Sequence, residues 1–177
     1  MDDCLLLKGE LRLLKDYCEN KVVVELGTYT GESAKIIASV AKEIYTVDVY
    51  DIPIKSDFGE ECKVNYSYED NLRKFSNYKN IHIIKAVSWQ AAENFDNNSL
   101  DVVFVDASHI QSNVTRDAIN WKVKLKKGGL MLFHDYNACH KGVVDAVNKL
   151  IACDNDFEEE PFRKVYKNNS IKILRRV

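Results

Sequence analysis

Proline and glycine are scarce in this chain of 177 residues, at two and seven, which leaves little material for a linker. No internal repeat or low-complexity tract stands out, so one domain over residues 1–177 is expected. No apolar run approaches the roughly 20 residues of a membrane span, so no membrane partner is expected. The 25 basic residues are spread among 27 acidic ones, for a net charge of -2. There is no basic stripe of the kind that binds nucleic acid and no polybasic membrane segment. The five cysteines (4, 18, 62, 139 and 153) are odd in number and lack a Cys-x-x-Cys pair. That pattern argues against a disulfide frame or a zinc site and for reduced thiols in the cytoplasm. The start, Met1-Asp2-Asp3, shows no basic segment and no cleavage pattern, so no leader is expected.

What is present is organised around residues 22–34. Val22 to Leu26 is a short β-branched run suited to a strand buried on both faces. Gly27 to Gly31 reads as a tight turn, and beyond it Ala34, Ile37, Ala38 and Ala41 fall on one helical face. Strand, glycine turn and helix form the nucleotide-site opening of an α/β fold. A dinucleotide fingerprint needs G-x-G-x-x-G, whereas Gly27 and Gly31 are separated by three residues. Glu25 also places an acid where a pyrophosphate would be repelled, so a ligand bearing an ammonium group suits the turn better. The E-L-G-x-x-x-G pattern resembles the first motif of class I S-adenosylmethionine-dependent methyltransferases, with Glu25, Gly27, Thr28 and Gly31 at the cofactor.

Upstream, residues 3–18 read as an amphipathic packing helix with Leu7, Leu11 and Leu14 on one face. Downstream, Glu43–Asp48 is a second strand ending in an acid about 20 residues past the turn, where a carboxylate accepts hydrogen bonds from both ribose hydroxyls. NAD and S-adenosylmethionine share that ribose. Residues 49–66 are irregular and read as a lid or substrate loop. Ser67 and Asp70 suggest a cap for a helix whose inner face includes Leu72 and Phe75. A third strand, residues 81–86, contains His82, read as structural. The turn after it is where adenine lies in this fold: Ser88 is placed to bond the base, and Val87 or Trp89 to pack on it, although Trp89 equally suits the core.

Leu100–Asp106 is nearly all apolar and should be a central strand. His109 follows, then a helix with Val114, Ala118, Trp121 and Leu125 inward, expected to stop at Lys126-Lys127-Gly128-Gly129. Residues 130–133 form the next strand, running into His134-Asp135-Tyr136. This block, V-D-A-S-H, helix, K-K-G-G, strand, H-D-Y, is similar to the O-methyltransferase branch of the class I family, particularly the macrolide and sugar O-methyltransferases. The resemblance covers residues 20–136, the expected S-adenosylmethionine-binding core. Tyr136 departs from the Asn of catechol-type relatives, and His134 from the acid found in macrolide-type ones. Residues 137–177 should supply a helix from Lys141 to Cys153 and a hairpin of 162–167 with 170–174, turning at Asn168-Asn169. Cys139-His140 reads as a polar start to that helix, because two residues make no metal site.

The expected fold is therefore a Rossmann-like, doubly wound α/β domain, a mostly parallel seven-stranded sheet closing in an antiparallel hairpin. The resemblance implies methyl transfer from S-adenosylmethionine to a hydroxyl of a small molecule. Asp106, which the resemblance also places at the cofactor, and Asp135 end neighbouring strands; two unpaired carboxylates there call for a cation, and Mg²⁺ is the expected one. His109 and His134 are the candidate bases, with Asp135 serving the acceptor. The short chain leaves open a homodimer whose partner surface closes the cleft, a non-catalytic S-adenosylmethionine-binding subunit, and an NAD(P)-dependent oxidoreductase.

Overall fold

The computed structural model describes residues 6–50 and 66–177. In chain order the elements are α1 (Lys8–Cys18), β1 (Val22–Leu26), α2 (Glu32–Ala38), β2 (Glu43–Asp48), α3 (Tyr68–Phe75) and β3 (Ile81–Lys85). Then come α4 (Ser88–Ala91), β4 (Leu100–Val105), α5 (Gln111–Lys122), β5 (Leu125–Phe133), α6 (Lys141–Cys153), β6 (Phe157–Glu159) and β7 (Lys172–Arg176). The seven strands make one sheet in the order β3-β2-β1-β4-β5-β7-β6. Strands β1 to β5 pair in parallel, and β7 is antiparallel to both β5 and β6.

The apolar strands are buried on both faces because helices cover both. Alternate residues face opposite layers. Val24, Leu26, Val103, Val105, Met131 and Phe133 pack with α4, α5 and α6 through Ala91, Trp121 and Val147. Val23, Val102, Phe104, Leu130 and Leu132 pack with α1, α2 and α3 through Leu14, Ile37 and Phe75. The strand order reverses between β1 and β4, and the carboxyl ends of both open on one edge. That crevice is where open α/β sheets bind ligands.

Several local expectations change. Leu7 caps α1 and is exposed, while the buried face is Glu10, Leu13, Leu14, Tyr17 and Cys18; residues 3–5 lie outside the described residues. The Ser67 cap holds, its hydroxyl accepting from Asp70 N at 3.1 Å. On α3, however, Asn71 joins Phe75 inside and Leu72 is exposed. Helix α5 stops at Lys122, short of the expected Lys-Lys-Gly-Gly. Leu125 instead pairs with Leu100 and Leu130 with Val102, so 126–129 bulge out of β5. The hairpin exists with a different first strand: Phe157–Glu159 pairs with β7, and residues 162–167 are irregular. Glu158 faces Arg175 across that pair, so opposite charges suit a strand too short to show a period. Residues 162–167 are drawn to α1, where Arg163 N donates to the Tyr17 hydroxyl at 2.9 Å and the Tyr166 hydroxyl donates to Asp16 Oδ2 at 2.8 Å. Of the loop over 49–66, residues 51–65 lie outside the described residues. His82 is structural, stacked on Tyr45 and paired with Glu43. Cys18, Cys139 and Cys153 are free thiols, and no helix among the described residues is long and apolar enough to cross a membrane.

Candidate active site

The turn after β1 is shaped by close approach. A Cβ on Gly27, at φ +97°, would lie 2.2 Å from the backbone oxygen of Asp106. Glycine therefore lets the loops after β1 and β4 meet at the crevice. Gly31 closes the turn by donating its N–H to Thr28 O at 2.8 Å. Beneath it runs a buried chain: the Thr46 hydroxyl donates to Glu25 Oε2 at 2.6 Å, and the hydroxyls of Thr28 and Thr46 lie 2.7 Å apart. With Thr46's proton given to Glu25, Thr28 is the donor in the second bond. Burial pushes the Glu25 carboxyl up to about 8, against the hydrogen bonds from Ser33 and Thr46 and helped by the charges of Asp106 and Asp48.

Asp48 reaches back to the same turn. Its Oδ2 accepts from Thr28 N and from Tyr29 N, each at 2.9 Å, and its Oδ1 from Tyr50 N at 3.3 Å. The Tyr66 hydroxyl completes the set at 3.3 and 3.4 Å. Asp48 therefore organises the glycine turn. Beyond β3, Val87 caps α4 and Ser88 opens it. The Ser88 hydroxyl donates to Asp117 Oδ1 at 2.6 Å, and its carbonyl accepts from Trp121 Nε1 at 3.0 Å. Burial pushes Asp117 up to about 7, against that hydrogen bond. Trp89 lies beneath the Arg116 guanidinium, 4.7 Å from its ring centroid, on a half-buried surface.

Past β4 and β5 the chemistry changes from neutral to ionic. His134, whose side chain is 7% exposed, has Nδ1 3.0 Å from Asp106 Oδ1 and 3.2 Å from Asp135 Oδ2, and Nε2 3.3 Å from Glu10 Oε2. Carboxylates only accept, so both ring nitrogens donate and the ring is an imidazolium. Burial alone would lower its pKa, but the bonds to Asp106, Asp135 and Glu10 push it up to about 12. Burial also opposes ionisation of Asp135, yet His109 and His134 hold it well below the usual carboxylate range. His109 Nε2 lies 2.9 Å from Asp135 Oδ2, and its side chain is 37% exposed. Asp135 itself adopts φ +56°, a left-handed turn that Asp tolerates.

The two carboxylates expected to need Mg²⁺ therefore already share a cation, His134. With an imidazolium between them, and Mg²⁺ preferring an all-oxygen octahedron, Asp106 and Asp135 do not fit that ion. Two members of the cluster escaped the sequence reading. Glu10 accepts from Leu7 N at 2.8 Å, from Ser170 N at 2.8 Å and from the Ser170 hydroxyl at 2.7 Å, while 1% exposed. Its signal was an acid on the stripe of Leu13, Leu14 and Tyr17, at i, i+3, i+4 and i+7. His140 was visible beside Cys139, but only the fold brings it to 3.5 Å from Asp135 Oδ1.

Comparisons with known proteins agree with this geometry. The family described as Methyltransferase domain matches residues 24–136. An uncharacterized protein of Sinorhizobium fredii is 28% identical over 121 residues, which are 64% of this chain and only 13% of that relative's length. An uncharacterized protein of Acanthamoeba polyphaga mimivirus is 27% identical over 166 residues, covering 85% of this chain and 70% of the relative. Among solved structures, the O-methyltransferase NovP superposes with TM-score 0.72 at 17% identity, over 95% of this chain and 79% of that one. An rRNA methylase from Streptococcus thermophilus superposes with TM-score 0.64 at 13% identity, over 98% and 99%. A Streptococcus mutans protein solved in complex with SAH gives TM-score 0.64 at 14% identity, over 95% and 96%. With a family match over more than half its length, a doubly wound sheet and a glycine turn at the switch point, the chain belongs to the methyltransferase-domain family, as a class I S-adenosylmethionine-dependent methyltransferase.

Proposed function

We propose that the protein transfers the sulfonium methyl of S-adenosylmethionine to a hydroxyl of a small molecule. The observation that carries this is the cluster of Asp106, His109, His134 and Asp135 beside the Gly27–Gly31 turn. The C–S bond breaks as the O–C bond forms, the sulfur leaves as neutral S-adenosylhomocysteine, and the hydroxyl proton must go to a base. His134 cannot take it, because three carboxylates keep it protonated. His109 can: with Nε2–H donating to Asp135, its neutral tautomer carries a lone pair on Nδ1. Asp135 orients that ring and stabilises the imidazolium that forms. The donor is already activated, so alignment supplies much of the rest, on the order of 7–11 kcal/mol in favourable cases.

On the cofactor side, Asp48 is the ribose acid. The Tyr66 hydroxyl bonds it only at 3.3 and 3.4 Å, so ribose hydroxyls would replace that phenol and leave the 2.9 Å bonds from Thr28 N and Tyr29 N in place. Adenine would meet Val87 and Trp89; Ser88's proton is committed to Asp117, which leaves the hydroxyl oxygen as an acceptor for the base's amino group. The SAH bound to the Streptococcus mutans protein supports S-adenosylmethionine as the donor. The net charge of -2 favours a small acceptor over the RNA of the rRNA methylases that share the fold.

Calorimetry tests the donor: S-adenosylhomocysteine should bind in the low micromolar range, roughly -8 kcal/mol, and NAD should not. NAD binding without S-adenosylhomocysteine binding would reverse the assignment. Transfer of labelled methyl to RNA and not to a panel of sugars and phenols would overturn the acceptor class.

A further inference from the structure

We propose that His109, Asp135 and His140 form a binding site for a transition-metal ion of the Zn²⁺ or Co²⁺ type, separate from the Asp106–His134 pair. One nitrogen from each histidine and one oxygen of Asp135 lie within 4.8 Å of one another. The two imidazole rings lie against each other, centroids 4.1 Å apart at 30°, and each reaches Asp135, His109 Nε2 at 2.9 Å from Oδ2 and His140 Nδ1 at 3.5 Å from Oδ1. This arrangement is built by packing. A Cβ on Gly142, in the first turn of α6, would lie 2.1 Å from His109 O, so the bare glycine lets α6 start directly against the loop after β4. That contact delivers His140, the residue before α6, to the end of β5.

A second observation points to a ligand. His140 Nδ1 is buried and makes no hydrogen bond among the described residues, and its nearest carboxylate oxygen, on Asp135, is 3.5 Å away. A buried nitrogen without a partner is costly, and a bound cation supplies the missing interaction. Two imidazoles and one carboxylate are borderline donors that suit Zn²⁺, Co²⁺ or Fe²⁺ and disfavour Mg²⁺. All three side chains are half-buried, which leaves a path for the ion.

The consequence for catalysis rests on the role proposed for His109, whereas the binding itself does not. Coordination through Nε2 moves the ring proton to Nδ1, so a loaded site has no lone pair left to accept the hydroxyl proton. The metal would therefore inhibit methyl transfer, and a chelator would raise it.

The test uses the full chain, stripped with EDTA and titrated with Co²⁺ near neutral pH. One equivalent should bind with visible d–d absorption, be displaced by Zn²⁺, and resist excess Mg²⁺. Binding should weaken at least about tenfold in His140→Ala and in His140→Asn, and stay as in wild type in Asp106→Asn. Zn²⁺ should suppress methyl transfer by wild type and not by His140→Ala. S-adenosylhomocysteine binding by each variant reports that it is folded. No Co²⁺ absorption in wild type, or unchanged affinity in both folded His140 variants, overturns the site. A wild type that binds Co²⁺ as described but not S-adenosylhomocysteine overturns the methyl-transfer reading and leaves the metal site standing.

Discussion

The two halves of the sheet's carboxyl edge solve the same problem differently. Around β1 and β2, Asp48 accepts from backbone N–H groups and Glu25 Oε2 from the Thr46 hydroxyl, and no ion pair joins either acid to a cation among the described residues. Around β4 and β5, Asp106 and Asp135 are satisfied by imidazoles. In the proposed assignment the first half would present hydroxyls, backbone N–H groups and the Asp48 carboxylate to a donor that brings its own positive charge. In the same assignment the second would hold a movable proton on His109 beside the His134 imidazolium, as suits an acceptor that must lose one. Placing protonated histidines on the donor side would repel a sulfonium, so the division follows from the chemistry proposed.

The sharpest way to break the comparison is His109→Ala. Turnover should fall about 10²–10⁴-fold, the usual worth of a positioned base, with S-adenosylhomocysteine affinity unchanged and partial rescue by added imidazole. Equal losses in turnover and cofactor affinity would mean that the halves are not separate. Next is Asp48→Ala, which should act on the donor half alone. Loss of charge-assisted bonds worth about 1.5–3 kcal/mol each should weaken S-adenosylhomocysteine binding and lower the melting temperature, by calorimetry, because Thr28 N and Tyr29 N lose their acceptor.

A smaller effect is expected for Glu10→Gln. The amide keeps the shape and loses the ionic bond to His134, at a cost of about 1–3 kcal/mol in urea unfolding. Burial would raise the Glu10 carboxyl, but the bonds from His134, Leu7 and Ser170 bring it down to about 2. Its folded pKa is below the ordinary 4.5, so its stabilisation is complete above that pH and fades on acidification toward about 2. The variant should be less sensitive to acid than wild type across that window. Glu25 carries the opposite sign. Its folded pKa of about 8 exceeds 4.5, so unliganded protein should lose stability as pH rises between those values. The slope is about 1.4 kcal/mol per unit, and Glu25→Gln should flatten it in denaturant titrations.

Much of the scaffold was legible because its signals are local. The apolar runs of β1, β2 and β4, the glycine turn and the helical stripe of α6 each sit within a short window, and the bounds of β2 and α6 match the expectation. Element ends failed where local pattern competed with long-range pairing. The sequence from 162 to 167 carries the aromatic and β-branched residues Phe162, Val165 and Tyr166 that suit a strand, yet its hydrogen bonds go to α1, while acidic Glu158 and Glu159 join the sheet against β7. The site was legible in its types and not in its pairings. Asp106, His109, His134 and Asp135 could be named, but which of them shares a proton with which could not.

By itself, then, the sequence determined the strand–turn–helix opening, the doubly wound class and the row of acids and histidines at strand ends. Each follows from periodicity, steric freedom or position along the chain. Only the tertiary structure decided that Glu10 of α1 neutralises His134, that this imidazolium stands where a divalent ion was expected, and that Gly142 brings His140 to Asp135. Those contacts join residues 10, 109, 134, 135 and 140, and a charge's partner is set by distance in space, which no spacing along the chain encodes.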